Sequence, residues 1–264
     1  MKSSWKRKRS AGNKLNIRTI ARRPARLFVV GDIHGCYAEL RALLSYLTND
    51  LKFSAEDQLI FIGDYVDRGK ASKQVIELLV ELKKSWPETV FLKGNHEAML
   101  LSFLGLGGMG GDVYLANGGA DTLLSYGLEP SEVAGEEQAR AGFPQEHLKF
   151  LQELESMVGL AEFIFVHAGL RPGVPLESQS EDDGTWIRSD FLDAEHDFNK
   201  TIVFGHTPFE EVLLHLPFKI GIDTGLVYGN KLTMVELVEG DLYQVDFGEQ
   251  NVKVSALRQR LGEP

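Results

Sequence analysis

The sequence predicts an α/β protein in which two layers of mixed β-sheet are flanked by helices. Three observations support this fold class. Short apolar runs end repeatedly in a glycine and a polar residue, segments with helical periodicity separate the first of these runs, and the C-terminal region reads as consecutive strands. A length of 264 residues is ordinary for one α/β domain, and no internal repeat or linker is evident.

The first half of the chain predicts a β-α-β-α-β unit. The two segments between its strands carry leucine, isoleucine and valine at spacings of three and four residues, as amphipathic helices do. The strands are apolar at consecutive positions, which is typical of strands covered on both faces. This order indicates parallel strands joined by right-handed crossovers. The strands are "RLFVVGD" (26–32), "QLIFIGD" (58–64) and "TVFLKGN" (89–95), and the helices are "ELRALLSYL" and "KQVIELLVELKKSW".

The remaining elements follow from turn signals and periodicity. A glycine-dense loop occupies 105–119, and helical segments are expected from there to about residue 157, the last beginning at Pro144. Strands resume at "EFIFVHAG" (162–169) and "TIVFGH" (201–206). "FKIGIDTG", "KLTMVELV" and "DLYQVDF" then predict consecutive strands, with turns at Gly229–Asn230 and Gly240–Asp241.

Composition and charge restrict the function classes. No apolar run is long enough to span a membrane, and a single cysteine, Cys36, rules out an intramolecular disulfide, so we expect a cytoplasmic protein. Residues 1–26 carry ten Lys or Arg and no acid, whereas residues 27–264 carry 18 basic and 38 acidic residues. We expect 1–26 to be a disordered basic tail and 27–264 to form one domain without specific affinity for nucleic acid.

Polar side chains follow five of the predicted strands at their carboxyl ends, where ligands bind in α/β sheets. Any one of them could be a turn former or helix cap, but four of the seven histidines fall in these five loops. Mixed oxygen and nitrogen donors suit Mn, Fe or Zn better than Ca or Mg alone. The loops predict a metal site, with these donors: Asp32, His34, Asp64, Asn95, His167 and His206.

The motifs "GDIHG", "GDYVDRG" and "GNHE" resemble the signature of the metallophosphoesterases, specifically of their phosphoprotein phosphatase branch. "LANGG" (115–119), "WIR" (186–188), "FGHTP" (204–208) and "IDTG" followed by "GNKLT" (222–233) are similar to the bacterial and phage-lambda-type serine/threonine protein phosphatases. The resemblance covers about residues 27–238. It implies the metallophosphoesterase β-sandwich, with 27–264 as its catalytic domain.

The resemblance also implies a role for each site residue. Two divalent transition-metal ions are expected, Mn²⁺ first, with Fe, Zn or Ni as alternatives. Asp32 and His34 would hold one ion, Asn95, His167 and His206 the other, and Asp64 would bridge both. His96 would be the general acid, kept protonated and in one tautomer by Asp67. The phosphate would be bound by Arg68, Arg188 and Asn95.

The activity implied is hydrolysis of phosphoserine and phosphothreonine in proteins, by attack of a hydroxide held between the two metals. The chain lacks the Arg-Ala-His-Gln motif of the animal enzymes, so phosphotyrosine and small phosphoesters are also open as substrates. The alternative is a symmetrical bis(5′-nucleosyl)-tetraphosphate hydrolase, which shares the first three motifs. A remote alternative is a module that binds phosphopeptides without catalysis.

Four further residues have open interpretations. Glu97 is either a second layer behind the metals or a helix first-turn acid. Arg171 either contacts phosphate or, as we favour, forms a salt bridge with a nearby acid. Cys36 is either a small residue at a helix start or, less favoured, a thiol of low pKa. Trp186 and the 105–119 loop are expected to border the substrate cleft.

Overall fold

The computed structural model describes residues 14–257. The β-strands in this range are β1 Ile17–Ile20, β2 Leu27–Val30, β3 Gln58–Phe61, β4 Val90–Phe91, β5 Met157–Leu160, β6 Phe163–Val166, β7 Thr201–Phe204, β8 Leu213–His215, β9 Lys219–Gly221, β10 Lys231–Glu236, β11 Asp241–Asp246 and β12 Lys253–Ala256. The α-helices are α1 Tyr37–Asn49, α2 Ser72–Ser85, α3 Asn95–Phe103, α4 Gly119–Ser125, α5 Glu136–Ala141, α6 Gln145–Gln152, α7 Glu181–Trp186 and α8 Ser189–Leu192.

The strands form two mixed sheets of six strands each. One sheet has the order β12-β11-β10-β2-β3-β4, and the other has the order β1-β5-β6-β7-β9-β8. In the first sheet β2, β3 and β4 are parallel, and the crossovers between them contain α1 and α2. In the second sheet β6, β7 and β9 are parallel. The carboxyl ends of these parallel strands carry the predicted polar loops.

Alternating side chains of the strands build separate cores on the two faces of each sheet. In β2, Leu27 and Val29 point between the sheets, where they pack with Ile60 of β3 and with Phe165 and Val203 of the other sheet. Phe28 and Val30 point to the opposite face, where they pack under the helices. A third core, on the outer face of the second sheet, includes Phe191 and Phe204. The strands are therefore apolar at consecutive positions because both faces are covered.

The predicted fold class is confirmed, since two mixed sheets lie face to face with helices around them. Most predicted strands and both crossover helices are present at the expected positions. The strand predicted for 89–95 is much shorter, only Val90–Phe91. Four strands are not predicted by the sequence analysis: β1, β5, β8 and β12.

The prediction of disorder over 1–26 is wrong for the residues that form β1. This strand runs parallel to β5 and extends the second sheet, and the Leu15 side chain before it is buried. Arg18 of this strand forms a salt bridge with Glu155 at 2.6 Å, so its positive charge is paired with an acid of the domain. Residues 1–13 of the predicted tail lie outside the described residues.

The predicted helix that runs to about residue 157 ends earlier, at Gln152, and Met157 begins a strand. The reason is a pairing between the two sheets. The Glu155 N–H donates to the Phe91 carbonyl at 2.9 Å, and the Lys93 N–H donates to the Glu155 carbonyl at 2.8 Å. These bonds hold Glu155 in extended conformation and so end the helical run. Within residues 14–257, no helix has both the length and the apolar character that crossing a membrane requires.

Candidate active site

The predicted polar loops meet at one buried site between the carboxyl ends of the two sheets. Its centre is Asp64, which belongs to two groups of three side chains whose ligand atoms lie within 4.8 Å of one another. One group adds His34 and His96 to Asp64, and the other adds His167 and His206. The Asp64 Oδ2 atom lies 3.5 Å from His34 Nε2 and 3.4 Å from His167 Nε2. One carboxylate therefore faces imidazoles contributed by both sheets.

Backbone carbonyls orient two of these imidazoles. His34 Nδ1 lies 2.9 Å from the Val66 carbonyl oxygen, and His167 Nδ1 lies 3.0 Å from that of Ile62. A carbonyl only accepts, so each Nδ1 carries a hydrogen and each Nε2 faces the Asp64 carboxylate. Asn95 lies beside His167, with its Oδ1 atom 3.1 Å from His167 Nε2. Such carbonyl-fixed imidazoles are typical of metal ligands.

Asp32 lies beside this centre but in neither group of three. Its Oδ2 atom accepts the His206 N–H at 3.0 Å, while its Oδ1 atom is buried without a hydrogen-bond partner among the described residues. Burial and the negative charges of Asp223 and Asp64 raise the pKa of Asp32 well above its usual value. A carboxyl group in such a place either takes up a proton or is compensated by a positive charge.

Two glycines allow the loops to approach the carboxylates closely. A Cβ atom at Gly205 would lie 2.1 Å from Asp32 Oδ1, and one at Gly94 would lie 2.1 Å from Asp64 Oδ1. Both distances are far below van der Waals contact. The glycines of "FGH" and "KGN" are therefore required by the packing of the site.

The backbone of the site is strained. Eight non-glycine residues in the described range have positive φ, and five of them belong to the predicted site. Left-handed conformations cost about 1–3 kcal/mol for residues other than glycine and are concentrated at functional positions. The five are His34, Asp64, Asp67, Arg68 and His206.

The donor set fits divalent transition metals. Burial lowers the pKa of His34 to about 3, and burial followed by the charges of His167 and Arg188 lowers that of His206. Neutral imidazoles bind a cation without first losing a proton. The His206 Nε2 and Asp32 Oδ1 atoms are both buried and have no hydrogen-bond partner in the described chain, as expected of atoms reserved for another ligand.

Glu97 holds the two central loops together. Its Oε2 atom accepts the N–H groups of Asp64 and Gly94, both at 2.9 Å, and its Oε1 atom accepts those of Tyr65 at 2.7 Å and Val66 at 3.2 Å. Burial and the neighbouring Asp64 charge raise the Glu97 pKa to about 7, although the bond from Tyr65 opposes the rise. The carboxylate is thus committed to backbone donors, which supports the interpretation that it stands behind the site.

His96 and Asp67 form the predicted pair. His96 Nδ1 lies 2.7 Å from Asp67 Oδ2, and both side chains are buried. The other ring nitrogen, Nε2, is buried with no hydrogen-bond partner within the described residues. The His96 ring lies edge-on to that of His34, with centroids 4.6 Å apart. The pair can therefore present an Nε2–H to a leaving group bound beside the Asp64 cluster.

Two residues that the sequence analysis did not identify fix Asp67. Its Oδ1 atom accepts the Tyr114 hydroxyl at 2.9 Å and the Thr122 hydroxyl at 2.7 Å. Tyr114 lies in the glycine-dense loop, so this loop supports the acid pair from behind. The only sequence signal was the "LANGG" motif between the two residues.

The predicted phosphate-binding arginines each contact a histidine of the cluster. Arg68 donates from Nη1 to His34 Nε2 at 2.7 Å, and its guanidinium lies 5.5 Å from the centre of the Tyr228 ring. Arg188 donates to the His206 carbonyl at 3.2 Å. These contacts hold both arginines at the cluster. Neither arginine has an acidic partner among the hydrogen bonds and ion pairs of the described residues.

The open interpretations are also decided by contacts. Arg171 forms salt bridges with Asp183 at 2.5 Å and Asp190 at 2.7 Å, so the salt-bridge interpretation is confirmed. The low pKa considered for Cys36 is wrong, because burial raises its pKa to about 12. Trp186 lies beside the site, its ring centroid 5.9 Å from that of His206.

Asp223, in the "IDTG" motif, is a further buried acid that the sequence analysis did not assign. Its Oδ1 atom accepts the Gly225 N–H at 2.9 Å, and burial raises its pKa to about 6. It adds to the negative charge that faces Asp32.

The two-sheet fold and this cluster of carboxylates and imidazoles define a metallophosphoesterase. The family model of the calcineurin-like phosphoesterases matches residues 25–241, and the chain belongs to that family. Divalent metal ions are implied by that membership, and the donor set above accommodates them.

Two relatives share the name bis(5′-nucleosyl)-tetraphosphatase PrpE [asymmetrical]. The one from Oceanobacillus iheyensis is 30% identical over 82% of this chain and 90% of that protein. The one from Bacillus cereus strain Q1 is 28% identical over 82% of this chain and 92% of that protein.

Solved structures give two comparisons. A "putative diadenosine tetraphosphatase" superposes with a TM-score of 0.67 and 25% identity, over 88% of this chain and 98% of that one. The cold-active protein-tyrosine phosphatase of a Shewanella species superposes with a TM-score of 0.60 over 91% of this chain and 82% of that one. At 17% identity, the second comparison shows a shared fold only.

Proposed function

We propose that this chain is a metal-dependent hydrolase of bis(5′-nucleosyl) tetraphosphates. The observation that carries the proposal is the similarity to bis(5′-nucleosyl)-tetraphosphatases over 82% of the chain, at 28–30% identity. The matched structure described as a diadenosine tetraphosphatase supports it. The substrate class thus follows the alternative in the sequence analysis, and the phosphoprotein phosphatase becomes the second candidate.

We propose the following metal ligands. Asp64 would be shared by two cations, since its carboxylate belongs to both side-chain groups. Asp32 and His34 would hold one cation with it, and Asn95, His167 and His206 would hold the other. When bound, two divalent cations supply positive charge for the phosphate oxygens and lower the pKa of a water molecule. Mn²⁺ is the first expectation, and Fe, Zn and Ni remain alternatives.

The chain's own groups supply binding and proton transfer. Arg68 and Arg188 bind phosphate oxygens, because a guanidinium offers paired donors of fixed geometry. Asn95 faces the same space through its amide. His96 donates its Nε2 proton to the departing oxygen, while Asp67, held by two hydroxyl groups, keeps the imidazole in one tautomer. The catalytic domain expected at 27–264 is extended in this proposal by β1, which joins its second sheet.

The cleavage position is a separate question. An asymmetrical hydrolase releases a nucleoside triphosphate and a nucleoside monophosphate, whereas a symmetrical one releases two diphosphates. The relatives that match this chain are named asymmetrical. We propose asymmetrical cleavage, in contrast to the symmetrical alternative of the sequence analysis.

One observation favours the second candidate, a phosphatase of phosphoserine or phosphothreonine in proteins. The His96–Asp67 pair is buried, with a distance of 2.7 Å, and is well placed to protonate a leaving group. A seryl alkoxide is strongly basic and needs that proton, whereas a nucleotide phosphate leaves readily without it. The acid pair is therefore of greater value to a monoesterase than to an enzyme that cleaves a phosphoanhydride.

One experiment compares the candidates. The Mn²⁺-loaded protein is supplied with diadenosine tetraphosphate, a phosphoserine peptide and a phosphotyrosine peptide, and kcat/KM is measured for each. The proposal expects the dinucleotide to give the highest value, with ATP and AMP as products by chromatography. Two ADP would contradict asymmetrical cleavage, and a higher value for either peptide would overturn the substrate class. Turnover of p-nitrophenyl phosphate excludes a non-catalytic module.

A further inference from the structure

Tyr228 is a large aromatic side chain exposed at the edge of the candidate active site. Of the exposed large apolar and aromatic side chains in the described range, it has the highest exposed fraction, 63%. The Arg68 guanidinium lies over one face of its ring, 5.5 Å from the centre, so much of the exposed area belongs to the other face and the edge. A ring in this position lies next to a proposed phosphate-binding group and faces solvent.

The backbone around Tyr228 is fixed. Residues Leu226–Tyr228 form a single 3₁₀ turn between Gly225 and Gly229, which have φ angles of 68° and 92°. The Tyr228 N–H donates to the Gly225 carbonyl at 3.0 Å, and the Leu226 side chain is buried in the core beneath. The turn also connects to the site, because the Gly225 N–H donates to Asp223 Oδ1 at 2.9 Å. The backbone that carries the ring is therefore held in one place beside the site.

We propose that Tyr228 is a stacking platform for a nucleobase of the substrate, and so a specificity-determining residue. This inference rests on the proposed function, because a base is present only if the substrate is a nucleotide. A purine has a flat π-face that can stack on an aromatic ring. Arg68 then has two roles: it binds phosphate with its donors and supports the second face of the Tyr228 ring. A phosphoserine side chain offers no such surface.

The test uses competitors that differ only in the nucleoside. Turnover of p-nitrophenyl phosphate by the Mn²⁺-loaded protein, with Mn²⁺ in excess, is inhibited by ATP or by inorganic tripolyphosphate. Both competitors carry three phosphates, so the ratio of their inhibition constants reports recognition of adenosine. In the wild type, we expect ATP to inhibit at lower concentration than tripolyphosphate. In Tyr228→Ala, we expect the inhibition constant of ATP to rise about tenfold, the scale of one lost base–aromatic stack, with that of tripolyphosphate changing less than about twofold.

Two control variants sharpen the result. Tyr228→Phe retains the ring and should retain the preference for ATP. Leu216→Ala removes another exposed side chain, which is 45% exposed. Leu216 precedes β9, and the site lies beyond the other end of that strand, so this variant should change neither inhibition constant. Both positions are on the surface, so the folding of all three variants is expected to be preserved, as circular dichroism can verify.

The outcomes separate the platform from the proposed function. Equal inhibition by ATP and tripolyphosphate in the wild type would overturn the platform, even if diadenosine tetraphosphate is cleaved. Equal weakening of both competitors in Tyr228→Ala would also overturn it, because the ring would then only position Arg68. If Tyr228 selects ATP but diadenosine tetraphosphate is not cleaved, the platform stands and the proposed function fails.

Discussion

Replacing Glu97 with glutamine should destabilise the protein strongly, although the two side chains have nearly the same shape. The Glu97 carboxylate accepts four backbone N–H groups, two on each oxygen. A glutamine has one oxygen, so two N–H groups would face an NH₂ group whichever way the amide is turned. Hydrogen bonds to a charged group are worth about 1.5–3 kcal/mol each, so the loss is about 3–6 kcal/mol. Relief of the repulsion between Glu97 and Asp64 offsets part of it, which places the net loss at about 3 kcal/mol.

The measurement is urea unfolding of the metal-free protein, followed by circular dichroism. Glu39→Gln is the matched control, because Glu39 is also a buried glutamate but accepts a single N–H, from Gly248 at 2.8 Å. A glutamine oxygen can still accept one N–H, so we expect this control to lose about 1 kcal/mol or less. Equal losses in the two variants would refute the argument that Glu97→Gln destabilises the protein because both carboxylate oxygens of Glu97 accept N–H groups. A stable Glu97→Gln protein would refute it more directly.

Three other outcomes follow from the site. Asp64→Asn should leave fewer than two metal ions bound per chain, because its carboxylate belongs to both side-chain groups, and two ions by elemental analysis would remove the bridging role. His96→Asn should slow hydrolysis of a phosphoserine peptide by about 10²–10⁴-fold but affect p-nitrophenyl phosphate much less, because nitrophenolate leaves unprotonated; equal losses would argue against an acid role. Cys36 should not react with a disulfide reagent at pH 8 until the chain is unfolded, because burial raises its pKa to about 12, and rapid labelling of the folded protein would contradict this.

The sequence predicts that the candidate ligand side chains lie close together because the loops of a parallel sheet converge. Asp32, Asp64 and Asn95 each follow a strand of the first sheet, and the order of strands alone places them at one edge. His167 and His206 follow parallel strands of the second sheet in the same way. The strand end specifies a location without any knowledge of side-chain contacts.

The supporting contacts could not be predicted because they join positions distant in sequence. Tyr114 and Thr122 reach Asp67 from a loop and a helix some fifty residues further along the chain. Strand β1 has only four residues and weak alternation, and its pairing with β5 depends on a partner strand that begins at Met157. In both cases the partner, not the local pattern, determines the structure.

The electrostatics of the site explain why a chain would keep such a cluster. Asp32, Asp64, Glu97 and Asp223 are all buried within mutual electrostatic influence, and the pKa values of Asp32, Glu97 and Asp223 are raised as a result of burial and of neighbouring charge. Burying carboxylates without compensating charge destabilises a fold, and the left-handed backbone at the site residues adds to that cost. Cations bound by these groups would remove the repulsion, so the negative charge that weakens the metal-free fold is the same charge that gives the site its affinity for metal. That cost falls chiefly on Asp32 and Asp223, because the four N–H groups accepted by Glu97 stabilise the metal-free fold, and the neighbouring imidazoles outweigh burial and lower the pKa of Asp64.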